Sequence, residues 1–298
     1  MSTAHVTVCI CTFRRAAMLR RLLLELEKQR AGDAFTFSVV VVDNDAARSA
    51  QATAEEVAAA TGREIVYAHE PEQNIARARN RTLANARGDY IAFIDDDEFP
   101  TPEWLALLLA SCRATNAAGV LAPVVAHFDT PPPRWLVRSK VTERPRHRTG
   151  TAIGLGDART GNVLFERRLV ADLPEPFDVR FASGGEDVDF FRRMMERGAR
   201  FIWCDEAVVY ESVPANRTTR GFYLRRGLLR GRNSLRQRSG RVRKVATSLV
   251  ALPLYTLALP FLLLAGQHVF MKNLISWCDH AGRLLAVFGI QTIARRDG

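Results

Sequence analysis

The sequence predicts an α/β fold, a doubly wound and mostly parallel sheet followed by a basic, apolar, membrane-associated helical region at its C-terminal end. Three observations support this prediction. Short β-branched runs alternate with helical segments in the first third of the chain, and acidic residues directly follow two of these runs. An arginine-rich block and then a long uncharged stretch occupy the last part of the chain.

The first third alternates strand and helix signals. Runs of Val, Ile and Phe indicate buried strands, and apolar residues three or four positions apart indicate helices. We expect strands at Val6–Thr12, Phe37–Val42, Glu64–Ala68 and Tyr90–Ile94, and helices at Ala16–Gln29, Ala47–Ala60, Ile75–Ala86 and Pro102–Thr115.

The middle of the chain has weaker signals. Phe128–Asp157 is rich in Pro, Arg and Gly, which predicts a long loop or an irregular insertion. Further on, Gly184 and Gly185 precede an expected helix at Glu186–Arg197. Short strands are expected at Gly161–Phe165, Ala199–Trp203 and Ala207–Tyr210.

Composition and charge limit the class of protein. The chain has 298 residues, 47% of them hydrophobic and 25% charged, as in an ordinary globular protein. The net charge is +10, and Ser212–Lys244 holds eleven Lys or Arg and no acidic residue, so anionic partners are expected. The five cysteines form no C-x-x-C pair, which favours buried, reduced thiols in a cytosolic protein. No cleavable signal peptide is expected.

The stretch Val245–Met271 carries no permanent charge and exceeds the ~20 residues of a membrane-spanning helix. Pro253 and Pro260 interrupt it, so three arrangements stay open: a single span, a hairpin broken near the prolines, or a helix in the membrane plane. The hairpin and the in-plane helix are favoured, because they keep the arginines beyond this stretch on the cytosolic side. A second apolar stretch, Leu284–Ile293, is expected at the membrane interface. For the longer stretch, Val245–Met271, the alternative interpretation is a buried core helix.

Five segments carry a family resemblance: CICTFRR, VVVVDND, NIARARN, GDYIAFIDDDE and GGEDVDFFRRM. In this order and spacing they resemble the inverting family 2 glycosyltransferases, which have the GT-A fold. The later motifs are most similar to bacterial exopolysaccharide sugar transferases of the succinoglycan-assembly type. The resemblance implies a catalytic domain at residues 1–235 and a membrane-associated helical region at 236–298. Two positions depart from the family pattern, since Arg14 replaces a common Asn and Asn74-Ile75-Ala76 replaces N-x-G.

The acidic run Asp95-Asp96-Asp97 is the expected donor site. Carboxylates beside a diphosphate require a hard cation between them. The resemblance implies that Asp97 binds Mg²⁺ or Mn²⁺, that Asp95 holds the ribose or the sugar, and that Asp96 points away. Glu211 stands where many relatives have a metal-binding His. The alternative for the acidic run is a solvated loop or a helix N-cap.

The same resemblance assigns Thr12, Asp43 and Arg79 to the nucleotide pocket, with Asp43 accepting a hydrogen bond from the base. The alternatives are a turn-forming role for Asp43 with Asn44 and a surface charge for Arg79.

An acidic motif after the two glycines is the expected acceptor side. An inverting transfer needs a base that takes the proton of the attacking hydroxyl. The resemblance assigns this base to Asp187, with Gly184, Gly185 and Glu186 beside the acceptor. The alternative is a helix whose first turn is acidic because the helix dipole favours it.

The resemblance therefore implies transfer of a sugar from a nucleotide-diphosphate sugar, expected to be a UDP-sugar, to a lipid-linked oligosaccharide. The transfer would take place at an anionic membrane surface, on the cytoplasmic face of a bacterial inner membrane. Two alternatives stay open: a transferase that loads polyprenyl phosphate, and a non-catalytic basic module for membrane or nucleic acid. Nucleic acid is not expected, because an exposed acidic triplet repels phosphate unless a metal intervenes.

Overall fold

The computed structural model describes residues 3–181, 184–235 and 240–290. The chain forms two compact units, one of Met1–Ala126 with Arg144–Ser212 and one of His127–Glu143 with Val213–Gly298. This division differs from the expected boundary at residue 235, because the segment after Ser212 joins the helices of the second unit.

Ten strands are present in the described residues. They are β1 (Ala4–Thr12), β2 (Phe35–Asp43), β3 (Ile65–His69), β4 (Tyr90–Phe93), β5 (Glu98–Pro100), β6 (Gly119–Leu121), β7 (Val124–His127), β8 (Val163–Glu166), β9 (Phe201–Trp203) and β10 (Val209–Ser212). Seven of them form one sheet in the order β3-β2-β1-β4-β8-β6-β9. All neighbours are parallel except where β8 meets β4 and β6. This confirms the predicted mostly parallel sheet.

Helices in the first unit cover the sheet. They are α1 (Ala16–Leu26), α2 (Gln51–Thr61), α3 (Ile75–Asn85), α4 (Trp104–Thr115) and α6 (Glu186–Glu196). The spacing of Leu19, Leu22, Leu23 and Leu26 places all four on one buried face of α1. Each fully buried leucine contributes about 1.5–3 kcal/mol to folding. A second core cluster is aromatic and contains Phe93, Phe165, Phe177, Phe190, Phe191 and Phe201.

A separate sheet of three strands has the order β5-β10-β7. Its antiparallel register places Glu211 directly opposite Glu98. Strands β5, β6 and β7 were not predicted, because runs of three or four residues are too short to show an alternating pattern. The expected irregular insertion at Phe128–Asp157 contains one short helix, α5 (Arg134–Ser139), and is otherwise free of regular helices and strands where the chain is described.

The second unit is helical, with α5, α7 (Arg220–Ser234), α8 (Arg241–Leu264) and α9 (Gln267–Val287). Glycines let α7 and α9 approach closely, since a β-carbon on Gly231 would lie 1.9 Å from the Asp279 carbonyl oxygen. Gly227 and Gly282 lie at the same contact. Trp135, Leu136, Tyr223, Met271 and Ile275 form the buried cluster of this unit.

The apolar stretch forms most of α8, which is continuous. Pro253 and Pro260 lie inside this helix, so the hairpin broken near the prolines, one of the three arrangements left open, does not form. The chain turns back instead at Gly266, whose φ is +114°, and α9 follows. With a mean hydropathy of 1.9 in its most apolar window, α8 is long and apolar enough to be a candidate membrane-associated helix. The predicted stretch Leu284–Ile293 begins in the last turn of α9, and its residues 291–293 lie outside the described part.

Candidate functional site

The predicted donor-side residues meet at one edge of the large sheet. Thr12 and Asp43 end the paired strands β1 and β2 and are opposite each other in the register. Asp95 follows β4, which pairs with β1 on its other side. Carboxyl ends of parallel strands form the ligand-binding edge of such sheets, so the topology brings these three residues to the same place.

Asp96 does not point away, and that prediction was wrong. A turn closed by the Glu98 N–H and the Asp95 carbonyl directs the Asp96 side chain back toward β1. There it is buried and accepts hydrogen bonds from Thr12 Oγ1 and Arg15 Nη1, both at 2.8 Å. Burial raises the pKa of Asp96 to about 6, and the positive charge of Arg15 opposes this rise. Asp96 therefore holds Thr12 and Arg15 in place.

Arg15 also binds Asp97, with its Nη1 3.0 Å from the Oδ2 of that residue. Sequence reasoning did not assign a role to Arg15. Its position three residues beyond the β1 run was the available signal, because residues there face the same sheet edge as the acidic run.

Two further carboxylates lie beside the acidic run. Glu98 is 3% exposed and accepts the Asp95 N–H at 3.1 Å. Burial, and then the negative charge of Asp95, raises the pKa of Glu98 well above its usual value. Glu211, opposite Glu98, forms an ion pair with Arg144. The site thus concentrates negative charge, and the sequence analysis missed both Glu98 and Arg144 as parts of it.

Asp95 is the most accessible carboxylate of this group, with its side chain 52% exposed. Loss of solvation, and then the charges of Asp97 and Glu211, raises its pKa, against the opposing charge of Arg79. A positive group placed beside Asp95 would relieve this repulsion.

The carboxylates suit a hard cation by their chemistry but do not form a complete cage. Among the residues that the structure describes, no three His, Cys, Asp or Glu side chains are gathered as a metal site. A magnesium ion, however, is commonly held by one or two carboxylates together with substrate phosphates. Asp97 and Glu211 fit that arrangement, with Arg15 and Arg144 as their present partners.

The contacts of Asp43 fit the turn-forming role that the sequence analysis gave as an alternative. It is fully buried, and its oxygens accept the Asp45 N–H at 3.0 Å and the Ala50 N–H at 2.7 Å. The Tyr67 hydroxyl lies 3.3 Å from the second oxygen. These contacts are those of a turn-forming residue before α2. Its role toward a nucleobase stays a prediction.

Arg14 explains one departure from the family pattern. Its φ is +54°, in the left-handed region, which Asn adopts more readily than most side chains. The Arg14 side chain pairs with Asp45 at 3.3 Å, so here the position joins the ends of β1 and β2 through charge. Asn74, by contrast, keeps a capping role and accepts the Ala76 N–H at 3.0 Å at the start of α3.

A buried ion pair joins the two sides of the site. Arg79 and Glu186 are in contact, with side chains only 9% and 5% exposed. Arg79 also reaches to 4.0 Å from Asp95. Burial raises the pKa of Glu186 although Arg79 opposes this. The second Glu186 oxygen, Oε2, is buried without a hydrogen-bond partner.

Asp187 differs from its acidic neighbours in the first turn of α6. Glu186 is bound to Arg79, and Asp189 is bound to Arg192 at 2.7 Å and to Arg193 at 2.8 Å. Asp187 is partly exposed and, within the described ranges, has no ion pair. Its Oδ1 accepts the Val188 N–H at 2.8 Å. It is the carboxylate of this turn that is not neutralised by an arginine.

Both glycines before α6 have positive φ, +106° at Gly184 and +101° at Gly185. Their backbone conformation therefore requires glycine independently of any acceptor. The acceptor-side assignment of Gly184, Gly185 and Glu186 stays a prediction, as do those of Thr12, Asp43, Arg79, Asp95, Asp97, Asp187 and Glu211.

Sequence comparison gives consistent relatives. The model of the family described as Glycosyl transferase family 2 matches residues 7–173. The succinoglycan biosynthesis protein ExoM of Rhizobium meliloti (strain 1021) is 37% identical over 228 residues, covering 75% of this chain and 72% of that protein. The putative glycosyltransferase EpsH of Bacillus subtilis (strain 168) is 28% identical over 109 residues, covering 37% and 30%.

Structural comparison supports the fold. The mannosyltransferase PcManGT from Pyrobaculum calidifontis, in complex with GDP-Man and Mn²⁺, matches with a TM-score of 0.63 and 18% identity, over 98% of this chain and 89% of that one. TarS 1-349 of S. aureus, in complex with UDP-GlcNAc, matches with a TM-score of 0.54 and 20% identity, over 76% and 65%. The chain thus spans less than two thirds of that TarS chain. At these identities the likeness concerns the fold, and it confirms the predicted GT-A type.

Proposed function

Since the chain belongs to glycosyl transferase family 2, we propose that it is an inverting, metal-dependent enzyme that transfers a sugar from a UDP-sugar to a lipid-linked oligosaccharide. One observation carries the proposal. Arg79 lies 4.0 Å from Asp95 and forms a buried pair with Glu186, which directly precedes the unneutralised Asp187. These contacts support placing the proposed donor-side and acceptor-side groups in one site.

In the proposed reaction, the acceptor hydroxyl attacks the anomeric carbon of the donor from the face opposite the departing diphosphate. Asp187 accepts the hydroxyl proton as the new bond forms. A positioned base of this kind contributes about 10²–10⁴-fold to the rate. Its partial exposure and lack of an arginine partner in the described structure support this role, because they leave the carboxylate accessible to an acceptor hydroxyl.

On the donor side, Asp97 would hold Mg²⁺ or Mn²⁺, with Glu211 as a second ligand. The cation would neutralise charge on the departing diphosphate. Arg15 and Arg79 provide fixed positive charge at the same edge, and Asp96 orients Arg15 and Thr12. The GDP-Man and Mn²⁺ bound to PcManGT and the UDP-GlcNAc bound to TarS support a nucleotide-sugar donor.

The acceptor and its location rest on the similarity to ExoM and on the second unit. A protein of succinoglycan biosynthesis and the apolar helix α8 both fit a lipid-linked acceptor at a membrane. The excess of arginine before α8 favours the cytoplasmic face.

The test is a transfer assay with the purified full-length protein. UDP-sugars and GDP-sugars are screened with and without Mn²⁺, and released nucleoside diphosphate is measured. We expect metal-dependent turnover with a UDP-sugar. Asp187→Asn should lower transfer by about 10²-fold or more while donor affinity changes little. Asp189→Asn is the matched control, since Asp189 is already bound to two arginines.

The acceptor is tested in the same assay by comparing polyprenyl phosphate with a polyprenyl-diphosphate saccharide. Transfer to the saccharide supports the proposal, and transfer to polyprenyl phosphate alone would replace it with the second function. Loss of donor binding in Asp187→Asn, with normal residual transfer, would show that Asp187 belongs to the donor site.

A further inference from the structure

We infer that α8 lies in the plane of an anionic bilayer surface, with one face among the acyl chains, and does not cross the membrane. This inference deepens the proposed membrane attachment and rests on it. It concerns the second unit alone.

One face of α8 is apolar and exposed along most of its length. Val250, Leu254, Leu257, Phe261 and Leu264 have 65%, 62%, 71%, 73% and 87% of their surface exposed. They are spaced four, three, four and three residues apart, which places them on one face of a helix. Pro253 and Pro260 are exposed on the same side.

The other face of α8 lies against α9. Ser248 Oγ is 3.0 Å from His280 Nδ1, and Trp277 Nε1 donates to Thr256 Oγ1 at 2.8 Å. Residues early in α8 therefore meet residues late in α9, so the two helices run antiparallel side by side.

This neighbour excludes a crossing of the bilayer by α8. A crossing would carry α9 into the acyl region with Lys272, Asp279 and Arg283. Asp279 is bound to Arg283 of its own helix at 2.5 Å and to Arg230 of α7 at 2.9 Å. Charged groups at that depth are costly, and the arginines of α7 would have to follow. An in-plane helix keeps all of them on the water side and inserts only the apolar face.

Charge identifies the occupant of the apolar face. Between residues 213 and 290 the sequence has thirteen Lys or Arg and one acidic residue, Asp279. Arg241 and Arg243 are exposed in the first turn of α8. A second copy of the chain would bring the same positive charge to this face, whereas anionic lipid complements it. Basic and apolar residues on one surface helix are typical of interfacial binding.

The experiment uses full-length protein and vesicles of phosphatidylcholine with or without phosphatidylglycerol. Leu254→Gln/Leu257→Gln/Phe261→Gln should lower binding to the anionic vesicles by at least about tenfold. The matched control is Leu24→Gln/Val137→Gln/Leu155→Gln, three apolar side chains that are also exposed, at 43%, 57% and 36%. We expect the control to bind like the unchanged protein, and equal loss in both variants would overturn the role of this face.

Topology is read from tags placed before Met1, within the turn at Gly266 between α8 and α9, and after Gly298, with protease added outside vesicles to which the protein is bound. Cleavage of all three tags is expected. Protection of the tag at Gly266, with binding intact, would overturn the in-plane arrangement but leave membrane attachment standing. Absence of any vesicle binding by the unchanged protein would instead remove the attachment itself. A loss of dimer mass in the glutamine variant by light scattering, with vesicle binding unchanged, would assign the face to a second copy.

Discussion

The buried ion pair between Arg79 and Glu186 permits a quantitative test of how the site is held together. Arg79→Met keeps most of the side-chain volume and removes the positive charge, which leaves a carboxylate that is 5% exposed without its partner. Breaking a buried pair in this way costs about 3–5 kcal/mol. Glu186 Oε2 lacks a hydrogen-bond partner, so this oxygen offers no compensation for the loss.

The loss of folding stability in Arg79→Met should depend on pH. Burial already raises the pKa of Glu186 in the folded protein, and loss of Arg79 raises it further. A carboxyl whose folded pKa lies above its unfolded pKa binds its proton more tightly when folded. Its contribution to stability therefore falls as pH rises from the unfolded pKa to the folded one. The deficit of Arg79→Met relative to the unchanged protein should be largest at pH 8 and smaller at pH 5.

The assay is urea unfolding followed by tryptophan fluorescence. Trp135→Phe/Trp277→Phe removes the tryptophans of the second unit, so the buried Trp104 and Trp203 report on the first unit. The control is Arg20→Met, which breaks the exposed Arg20–Glu56 pair and should cost below about 1 kcal/mol. Arg79→Met/Glu186→Gln should regain most of the loss. If Arg79→Met costs no more than Arg20→Met, or the double variant is no better than the single one, the reasoning is refuted.

Three further predictions concern other parts of the chain. Gly231→Leu should disrupt the contact of α7 with α9 and lower the melting temperature reported by Trp135 and Trp277 fluorescence, whereas Gly221→Ala, where a β-carbon meets nothing within 4 Å, should not. Asp43→Ala should reduce the stability of the first unit by about 1–3 kcal/mol, because it leaves buried N–H groups unpaired; unchanged stability with lost donor binding would favour the nucleobase role. Asp97→Ala should abolish the metal dependence of donor binding in calorimetry, and an unchanged metal dependence would contradict its proposed role.

The sequence predicted the elements that have a regular pattern. The Val-rich runs became β1 and β2, and the leucine spacing became the buried face of α1. It did not predict β5, β6 and β7, because each is fixed by its neighbours in the sheet and is too short for its own pattern to show. The hairpin that the sequence analysis left open was expected near Pro253 and Pro260, whereas the chain turns at Gly266. Proline keeps a helical φ, so the loss of one hydrogen bond at each position did not end the helix.

The site was predicted in part, for a similar reason. The acidic run, Arg79 and the α6 motif could be found because residue type and order carry their signal. The partners Arg15, Arg144 and Glu98 could not, because their roles depend on a turn after β4 and on the register of β5 with β10. Charged side chains are common in loops, and only the fold distinguishes those that face a common edge.

The position of Arg79 between Asp95 and Glu186 has a thermodynamic consequence for the two substrates. The Arg79 guanidinium cannot move toward a donor phosphate without changing its interaction with Glu186, at the start of the proposed acceptor-side helix α6. The binding free energies of donor and acceptor are therefore expected to be linked. Linkage is reciprocal, so whatever factor the donor imposes on acceptor affinity, the acceptor imposes on donor affinity. The strength of this coupling would then be a property of this single side chain.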